Sequence, residues 1–571
     1  MCWQADGRYR EEEYLYGMKK ISTQALLFPF FVALNILLAK NVFSQTLTVS
    51  ASSLNFGTAY ENSPDSLQLT IFNNLNHAVN VTGFRFYNTY GSPAFSVNVS
   101  NLSIASSSSQ QVWVKFAPFH NIYHNSELVI ENDALRGYVS VDLQGQGKYS
   151  NTYYNATENL AEENLKTSIH TITGVGYDTL GYNIARDSMF MWLDNQRVNG
   201  QGAGTNTLEG IYTGVLATGY ISRTDCQTTF SFNTEHTFPQ GFFSSAEPMK
   251  SDLHHLFPTD DASNNYRANN PFGVVSNPTW TSGGSSGTTT LFEPRDQQKG
   301  ATARAMMYFV LRYQDFTNFF APQESILRTW HHNFQPSQVE RKRNDDINII
   351  QHNRNPFVDY PQFIDRINSI VNFSVAPVAP SIDLTQDTIL YGFVATASPQ
   401  VFRYVVVNRG NTTVHFTNQS LSNSGILDFA SSGNDTAIAP GDAMQIDIRL
   451  TVSNSNPVHE SLNFNTDVSG QTNVSIPIYA NDPLVSGIDE KQDETISLFP
   501  NPVTKSLNFF YRLTRDAHFS IVDLPGRVLM AGSLSKNNFQ QTINVAELSE
   551  GLYILRVESP EHMLLQKFLK Q

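Results

Sequence analysis

The sequence predicts a multidomain protein in which an α+β domain lies between all-β sandwiches and a small C-terminal β sandwich ends the chain. Its 571 residues exceed what one compact domain holds. Residues 66–71 and 444–450 alternate apolar and polar side chains, the period of half-buried antiparallel strands. Residues 299–314 instead repeat apolar side chains every three or four positions, which is the period of a helix.

The composition is that of a globular protein, with 40% hydrophobic and 15% charged residues. The formal net charge of −14 argues against nucleic acid as a partner of the chain as a whole. Binding depends on the local field, however, so one domain can still bind an anion. The two cysteines are Cys2 and Cys226; we do not expect both in the mature chain, and we therefore expect no structural disulfide.

The N-terminal region has the features of a secretory signal. Residues 19–20 are basic, and residues 25–39 form an apolar run that is too short to span a bilayer comfortably. We expect a signal peptide over residues 18–44, cleaved after Ser44, and no stable membrane span; the alternative is a membrane anchor. Residues 1–17 contain three consecutive glutamates, unlike a signal, which makes Met18 the better candidate for the start of translation.

Residues 46–148 are predicted to form the first β sandwich. Apolar and polar side chains alternate over residues 66–71, 112–116 and 139–143, and clusters of Asn, Gly, Ser and Pro separate these segments. Several short strands within about a hundred residues indicate an immunoglobulin-like sandwich. Titratable side chains do not cluster here, so we interpret this region as a spacer or adhesion module.

The pattern changes between residues 156 and 370, where we place the α+β domain. Residues 160–173 and 299–314 are predicted helices, and the Gly- and Ser-rich residues 279–290 are a predicted flexible or hairpin-like connection. A dense polar stretch over residues 232–273 contains Glu235-His236 and a second histidine pair. If the chain performs chemistry, we expect it in this stretch.

Five blocks of this domain resemble, in order, the signature blocks of the bacterial endonuclease I family. They are FNTEHTFPQ, SDLHHLFPTD, NNYRANNPFG, FEPRDQQKGATARAMMYF and QHNRNPFVDYPQF. Members of that family are secreted or periplasmic non-specific nucleases with a ββα-metal (His-Me finger) site. The resemblance covers about two hundred residues and implies DNA, and also RNA, as substrate. Periplasmic members carry several cysteines, whereas this domain has Cys226 alone, so it is more similar to the cysteine-poor branch found in larger secreted proteins.

The residue types of the polar stretch suit phosphodiester hydrolysis. A neutral imidazole is a suitable base at neutral pH, and His236 fits that role. Glu235 and Asn264 offer the oxygen ligands that Mg²⁺ (or Mn²⁺ or Ca²⁺) takes, and the ion would stabilise the departing 3′-oxygen. The resemblance implies the same roles, with the metal-binding asparagine three residues before Arg267. Adjacent side chains of a strand point to opposite sides, so Glu235 and His236 serve one site only near a strand end or bend.

Other residues of this domain are assigned weaker roles. Arg267 is expected to bind a substrate phosphate or to be an ordinary surface arginine of a helix. Arg354, in the last block, is expected to contact DNA or to be buried scaffolding together with its polar neighbours. His254 and His255 are expected to be structural or adjacent to the substrate, with zinc ligation as the alternative. We expect six cations to make this domain locally basic: Lys299, Arg304, Arg328, Arg341, Lys342 and Arg343.

Strands return after residue 381. Alternation over residues 402–406 and 444–450 predicts a second sandwich at 382–480, in which we find no chemistry. Residues 496–571 contain the landmarks FPNP and GLY and resemble the C-terminal sorting domain of the type IX secretion system. That resemblance implies export through the outer membrane by the type IX machinery, followed by release or attachment at the cell surface.

Three hypotheses for function follow. The first is a secreted, metal-dependent, non-specific endonuclease. The second is a non-catalytic surface adhesin with a degenerate nuclease domain, which the share of the chain given to sandwiches favours. The third is a zinc hydrolase that uses His254 and His255. The intact Glu235-His236 pair favours the first.

Overall fold

The computed structural model describes residues 47–87, 94–134, 136–314, 317–430, 437–482, 495–499, 501–513, 516–523, 527–536, 540–559 and 563–571. The predicted signal peptide and Cys2 lie outside these ranges. The chain divides into two compact units, one ending at Ala480 and the other running from Asn481 to Gln571. Within the ranges given, no helix combines the length and the apolar character needed to cross a membrane.

The first unit begins with two sheets that share one hydrophobic core. The sheets have strand orders β1-β3-β7-β5 and β2-β9-β8-β4-β6, and the pairing is antiparallel except between β2 and β9. Inward side chains of both sheets, such as Ile71, Val114 and Leu128, are fully buried, as the period-two pattern predicts. The strands are β1 (Thr48–Val49), β2 (Ser53–Tyr60), β3 (Asp65–Asn73), β4 (Val79–Phe86), β5 (Phe95–Val97), β6 (Leu102–Ile104), β7 (Ser108–Phe116), β8 (Tyr123–Asn132) and β9 (Val139–Lys148).

The central region combines helices with short hairpins. Its sheets are β10-β11, β12-β13 and β14-β15-β16. The strands are β10 (Thr207–Glu209), β11 (Leu216–Thr218), β12 (Phe232–His236), β13 (Leu256–Asp260), β14 (Trp280–Ser282), β15 (Ser285–Gly287) and β16 (Phe292–Glu293). The helices are α1 (Glu162–Gly174), α2 (Tyr182–Ser188), α3 (Arg223–Phe230), α4 (Asp261–Arg267), α5 (Asp296–Tyr313), α6 (Thr317–Phe320), α7 (Glu324–Asn333), α8 (Gln338–Gln351) and α9 (Pro356–Asp359).

Helix α5 is the centre of this region's core. Its apolar residues at three- and four-residue spacing, among them Ala303, Met307 and Leu311, are buried against α1, α7 and the aromatic side chains around them. Both predicted helices, at 160–173 and 299–314, are confirmed. Short 3-10 segments (Thr152–Thr157, Gln240–Phe243, Met249–Ser251, Ala321–Gln323, Pro361–Arg366) and one π segment (Met189–Leu193) connect the elements.

The predicted connection at 279–290 is the hairpin β14–β15. Its turn residues Gly283 and Gly284 both have positive φ angles, which glycine adopts without strain. A Cβ on Gly283 would lie 1.9 Å from the carbonyl oxygen of Thr213, so the turn packs too closely for any other residue. This contact places the hairpin against the loop that carries Tyr212.

A second pair of sheets ends the first unit. Their strand orders are β17-β19-β23-β21 and β18-β25-β24-β20-β22, and they too share one core. The strands are β17 (Ile382–Leu384), β18 (Ile389–Leu390), β19 (Gln400–Asn408), β20 (Val414–Leu421), β21 (Leu427–Phe429), β22 (Ala437–Ile438), β23 (Ala443–Leu450), β24 (Val458–Thr466) and β25 (Asn473–Ala480).

Polar and aromatic contacts join these three parts of the first unit. The ring of Tyr149 stacks on that of Tyr360 with centroids 3.6 Å apart, which fastens the first sandwich to the central region. The two sandwiches meet where Gln445 Nε2 donates to Ser140 Oγ at 2.7 Å. Val129 and Val405 are fully buried in the same contact. These three parts of the first unit are therefore packed on each other.

The second unit is all β. Two sheets, β26-β27-β30 and β29-β28-β31-β32, contribute apolar side chains to one core. Its strands are β26 (Thr495–Phe499), β27 (Ser506–Arg512), β28 (Ala517–Asp523), β29 (Val528–Leu534), β30 (Gln540–Asn544), β31 (Gly551–Glu558) and β32 (Met563–Lys570).

Candidate active site

A hairpin followed directly by a helix holds the predicted site residues. Strand β12 pairs antiparallel with β13, so that Glu235 lies opposite Phe257 and His236 opposite Leu256. Helix α4 starts where β13 ends, because the side chain of Asp260 accepts a hydrogen bond from the Ser263 amide at 2.9 Å and so caps the helix. The strand ends at His236, as predicted.

The carboxylate of Glu235 is buried and partly satisfied. Tyr212 Oη donates to Glu235 Oε1 at 2.7 Å, and Arg267 Nη1 lies 3.2 Å from the same oxygen. Burial raises the pKa of Glu235, while the charge of Arg267 and the Tyr212 hydrogen bond oppose that rise. Among the described residues, Oε2 has no hydrogen-bond partner. Glu235 therefore has one oxygen fixed by the protein and one oxygen left for a ligand.

Arg267 connects helix α4 to the end of β12. Its guanidinium donates to the carbonyl oxygens of His236 at 3.1 Å and of Thr237 at 2.6 Å, and lies over the ring of Phe272. Only 1% of the side chain is exposed, so the expectation of an ordinary surface arginine is wrong. Its predicted contact with a substrate phosphate stays a prediction, and in the structure the guanidinium is engaged with Glu235 and the backbone.

His236 has a defined tautomer. Its Nε2 lies 3.2 Å from the carbonyl oxygen of Lys250. Because a carbonyl oxygen can only accept a hydrogen bond, Nε2 carries the proton and Nδ1 keeps a lone pair. Burial, followed by the neighbouring His255, lowers the pKa of His236 to about 3, which keeps the ring neutral. A neutral imidazole with a free lone pair on Nδ1 is the form that can accept a proton.

The contacts of Glu235 and His236 form two separate sets, as strand alternation requires. Glu235 meets Tyr212 and Arg267, whereas the His236 ring lies 5.6 Å from that of Tyr182 and 5.5 Å from that of His255. The two side chains flank the end of one strand. A ligand that contacts both side chains must therefore extend across the end of strand β12.

Asn264 lies on helix α4 and is partly exposed, whereas the adjacent Asn265 is exposed. The Asn264 side chain has no hydrogen-bond partner within the described residues. Its amide oxygen and Glu235 Oε2 are both oxygen donors, the type of ligand that a hard divalent cation takes together with several waters. The described residues contain no group of three or more His, Cys, Asp or Glu that could hold a metal. These two oxygen atoms suit a hard cation such as Mg²⁺ better than they suit zinc, which prefers nitrogen and sulfur ligands.

The histidine pair at 254–255 is bound to the backbone. His254 Nε2 lies 3.3 Å from the Asn353 carbonyl oxygen, and His255 Nε2 lies 2.6 Å from that of Met249. Both rings are buried beside Asp252, which also accepts hydrogen bonds from two tyrosines. These contacts support the structural role that the sequence favoured for the pair.

The last block of the domain is scaffolding. Gln351 and Asn353 are fully buried, and Gln351 Oε1 accepts from the Leu253 amide at 2.7 Å. Arg354 forms ion pairs with Asp345 and, at 2.6 Å, with Asp359. Its predicted contact with a substrate phosphate stays a prediction, but its guanidinium already lies between two carboxylates.

The expectation that six cations make this domain locally basic is wrong. Five of them lie in ion pairs, and Arg341 donates to backbone carbonyl oxygens. The pairs are Lys299–Glu293, Arg304–Glu340, Arg328–Glu324, Lys342–Asp346 and Arg343–Asp194. Their positive charge is balanced locally and offers little attraction to a distant anion.

Three residues of the site carry no signal in the sequence. Tyr212 reaches Glu235 from a loop far along the chain, Lys250 acts through its backbone carbonyl, and Tyr182 borders His236 from helix α2. None lies in a block with recognisable spacing. The tertiary fold alone brings them to the hairpin.

Comparison with known proteins identifies two segments. Residues 157–362 match the family model of endonuclease I, and residues 497–571 match that of a secretion system C-terminal sorting domain. The extracellular ribonuclease of Bacillus subtilis (strain 168) is 28% identical over 236 residues, which are 38% of this chain and 78% of that protein. The extracellular ribonuclease of Bacillus amyloliquefaciens is 29% identical over 237 residues, with the same two shares. The chain thus carries an endonuclease I domain and a type IX sorting domain, and it is a nuclease that is secreted or displayed at the cell surface.

Proposed function

We propose that this chain is a metal-dependent endonuclease that hydrolyses phosphodiester bonds of DNA and RNA with little sequence preference. The observation that carries the proposal is the end of strand β12, where a neutral His236 with a free Nδ1 lies next to a half-satisfied Glu235 carboxylate. Strands β12 and β13 with helix α4 would then be the ββα-metal unit that the sequence predicts.

His236 acts as the general base in this proposal. Its Nδ1 accepts a proton from a water molecule, and that water attacks the phosphorus atom. The Lys250 carbonyl holds the Nε2–H and so fixes the tautomer and the ring orientation. The resulting imidazolium keeps its hydrogen bond to that carbonyl while the bond to the 3′-oxygen breaks.

Glu235 Oε2 and the Asn264 amide oxygen would hold the divalent cation on which endonuclease I enzymes generally depend. A bound Mg²⁺, Mn²⁺ or Ca²⁺ would supply positive charge for the phosphate and for the departing oxygen. Tyr212 and Arg267 fix the other carboxylate oxygen and so orient Glu235. Arg267 is in this view a positioning residue for Glu235, and Arg354 holds the scaffold through Asp359.

Two comparisons support the proposed substrate range. Two relatives are named extracellular ribonucleases, and the resemblance to endonuclease I implies DNA. In this proposal the site residues interact with a phosphate and a water, and none of them contacts a nucleobase or a 2′-hydroxyl. We therefore propose that both nucleic acids are cleaved.

The regions around the nuclease domain have supporting roles in the proposal. We assign residues 46–148 and 382–480 to non-catalytic, immunoglobulin-like sandwiches, residues 156–370 to the nuclease domain and residues 496–571 to the sorting domain. The signal peptide over residues 18–44 would direct the chain to the periplasm before export through the outer membrane.

Cleavage assays test the proposal. The full chain should nick plasmid DNA and degrade a structureless RNA in Mg²⁺, and EDTA should abolish both activities. His236→Ala should lower the rate by about 10²–10⁴-fold, the usual contribution of a general base. A wild-type protein that cleaves neither substrate in any divalent cation would instead support the surface adhesin. Tightly held stoichiometric zinc would support the zinc hydrolase.

A further inference from the structure

Two cations share one aromatic ring beside the candidate active site. The guanidinium carbon of Arg186 lies 4.9 Å from the ring centroid of Tyr182, and Lys250 Nζ lies 4.8 Å from the same centroid. Tyr182 and Arg186 belong to helix α2, and Lys250 belongs to the turn before β13. We call these three residues the cation–tyrosine cluster. All three are partly exposed, so the cluster borders solvent.

The cluster is connected to the proposed base on two sides. The Tyr182 ring lies 5.6 Å from the His236 ring. Lys250 presents its carbonyl oxygen to His236 Nε2 at 3.2 Å, and Arg186 Nε donates to Thr234 Oγ1 on strand β12 at 3.1 Å. An anionic group bound by these cations would therefore lie close to His236 and to the phosphodiester bond that is cleaved.

The cluster differs from most other cations of the nuclease domain in lacking a carboxylate partner. Within the described ranges, neither Arg186 nor Lys250 has an Asp or Glu oxygen within 4.0 Å. The nearby Glu247 accepts a hydrogen bond from Ser251. Ten other cations of the domain are paired: Lys166, Arg223, Arg267, Arg295, Lys299, Arg304, Arg328, Lys342, Arg343 and Arg354.

Arg186 and Lys250 place two positive charges beside one ring. The ring offers only a modest attraction at a partly exposed site. Burial lowers the pKa of Arg186, Arg223 adds to that fall, and Tyr182 and the neighbouring Asp187 oppose it. Both cations would attract an anionic ligand, and Arg with Lys is a suitable pair of donors for phosphate oxygens.

We propose that Arg186 and Lys250, held against Tyr182, bind a backbone phosphate of the nucleic acid next to the phosphate that is cleaved. This inference rests on the proposed nuclease function and names the subsite that holds the strand. The opposing interpretation is structural: the ring contacts and the Thr234 hydrogen bond merely fasten helix α2 to the hairpin.

Binding measured without cleavage separates the two interpretations. A fluorescent single-stranded DNA of about 12 nucleotides is titrated against the full chain in EDTA at several salt concentrations. Arg186→Gln and Lys250→Gln should each raise Kd several-fold. Each should also reduce the slope of log Kd against log salt by about 0.7, the value for one lost phosphate contact on a single strand. Lys250→Arg should restore most of the affinity.

Two controls isolate the charge. Thr234→Val removes the hydrogen bond to Arg186 but keeps both cations, and it should leave the salt slope unchanged. Lys342→Gln removes one positive charge from helix α8 and should do the same. If Arg186→Gln impairs folding, Lys250→Gln decides, because its backbone carbonyl still holds His236. An unchanged slope in folded Lys250→Gln, or an equal loss in Thr234→Val, would overturn the inference.

The outcome also distinguishes this inference from the proposed function. A wild-type chain that binds the oligonucleotide through Arg186 and Lys250 but cleaves nothing in Mg²⁺ would refute the function and keep the phosphate subsite. A chain that cleaves normally while both glutamine variants bind like wild type would refute the subsite alone.

Discussion

The guanidinium Nη1 of Arg267 lies 3.2 Å from Oε1 of Glu235, and 1% and 3% of the two side chains are exposed. A buried ion pair contributes little net stability, but removing one partner leaves an uncompensated charge. Arg267 also satisfies the carbonyl oxygens of His236 and Thr237. The pair therefore links the orientation of Glu235 to the integrity of the hairpin.

Arg267→Met should destabilise the nuclease domain by about 3–5 kcal/mol, since it leaves Glu235 buried without its countercharge. Urea denaturation followed by intrinsic fluorescence measures the loss. Arg223→Met is the matched control, because its partner Asp187 is 56% exposed, and it should cost about 0–1 kcal/mol. Equal losses in the two variants would contradict the role assigned to the buried pair.

Tyr212→Phe should raise the Mg²⁺ concentration that cleavage requires and should have a smaller effect on the free energy of unfolding. The variant removes the hydrogen bond to Glu235 Oε1, so the carboxylate loses part of its fixed orientation. Loss of such a supporting contact typically costs about 10–100-fold in metal affinity. The measurement is the Mg²⁺ concentration for half-maximal cleavage. Tyr153→Phe, which removes a hydrogen bond to the Ile172 carbonyl, should leave that concentration unchanged.

Strand and helix periods in the sequence predict the local elements well. Residues 66–71, 112–116 and 444–450 lie in strands β3, β7 and β23, and residues 299–313 lie in helix α5. The reason is physical: one face of each element is buried, and burial imposes the period on the residue types. The same local reasoning places Glu235 and His236 at the end of a strand.

Local sequence patterns do not predict which side chains pair over long distances in the chain. Arg304 pairs with Glu340, which is 36 residues away, and Arg343 pairs with Asp194, which is 149 residues away. Basic residues that are grouped in the sequence are therefore neutralised by acidic partners from distant segments. Tyr212 lies on a loop that is held against hairpin β14–β15, where Ser285 Oγ donates to the Tyr212 carbonyl oxygen at 2.6 Å. Such contacts depend on the packing of distant segments.

The domain should lose stability in mild acid through His331. Burial lowers the pKa of His331 to about 3, and its Nε2 lies 2.9 Å from the Pro361 carbonyl oxygen. The unfolded chain takes up a proton below about pH 6.5 while the folded chain does not, so stability falls as the pH drops from there towards 3. The slope from this residue is about 1.4 kcal/mol per pH unit.

His331→Gln tests this pH dependence. It should lower the stability at pH 7 but reduce the loss between pH 6 and 4, as measured by urea denaturation at each pH. An identical pH slope in variant and wild type would show that this histidine does not govern acid unfolding. The buried His124 of strand β8, whose pKa burial lowers to about 4, provides an independent second variant in the first sandwich.

Glu127 should make the contact between the two sandwiches weaken in alkali. The side chain is 4% exposed in strand β8, and burial raises its pKa to about 8, with Asp142 and Asp442 adding to the rise and Ser140 opposing it. The folded chain therefore keeps a proton that the unfolded chain loses. Stability conferred by the neutral acid is full below about pH 4.5 and is lost as the pH rises through 8.

Glu127→Gln keeps the shape of the neutral acid and cannot ionise. Its melting temperature should match that of the wild type near pH 5 and exceed it by several degrees at pH 9, because only the wild type must then bury a charge beside Asp142 and Asp442 or move the sandwiches apart. Calorimetry at the two pH values measures the difference. If the variant and the wild type lose stability equally between pH 5 and 9, another group governs the alkaline transition and the Glu127 carboxyl is solvated in the folded chain.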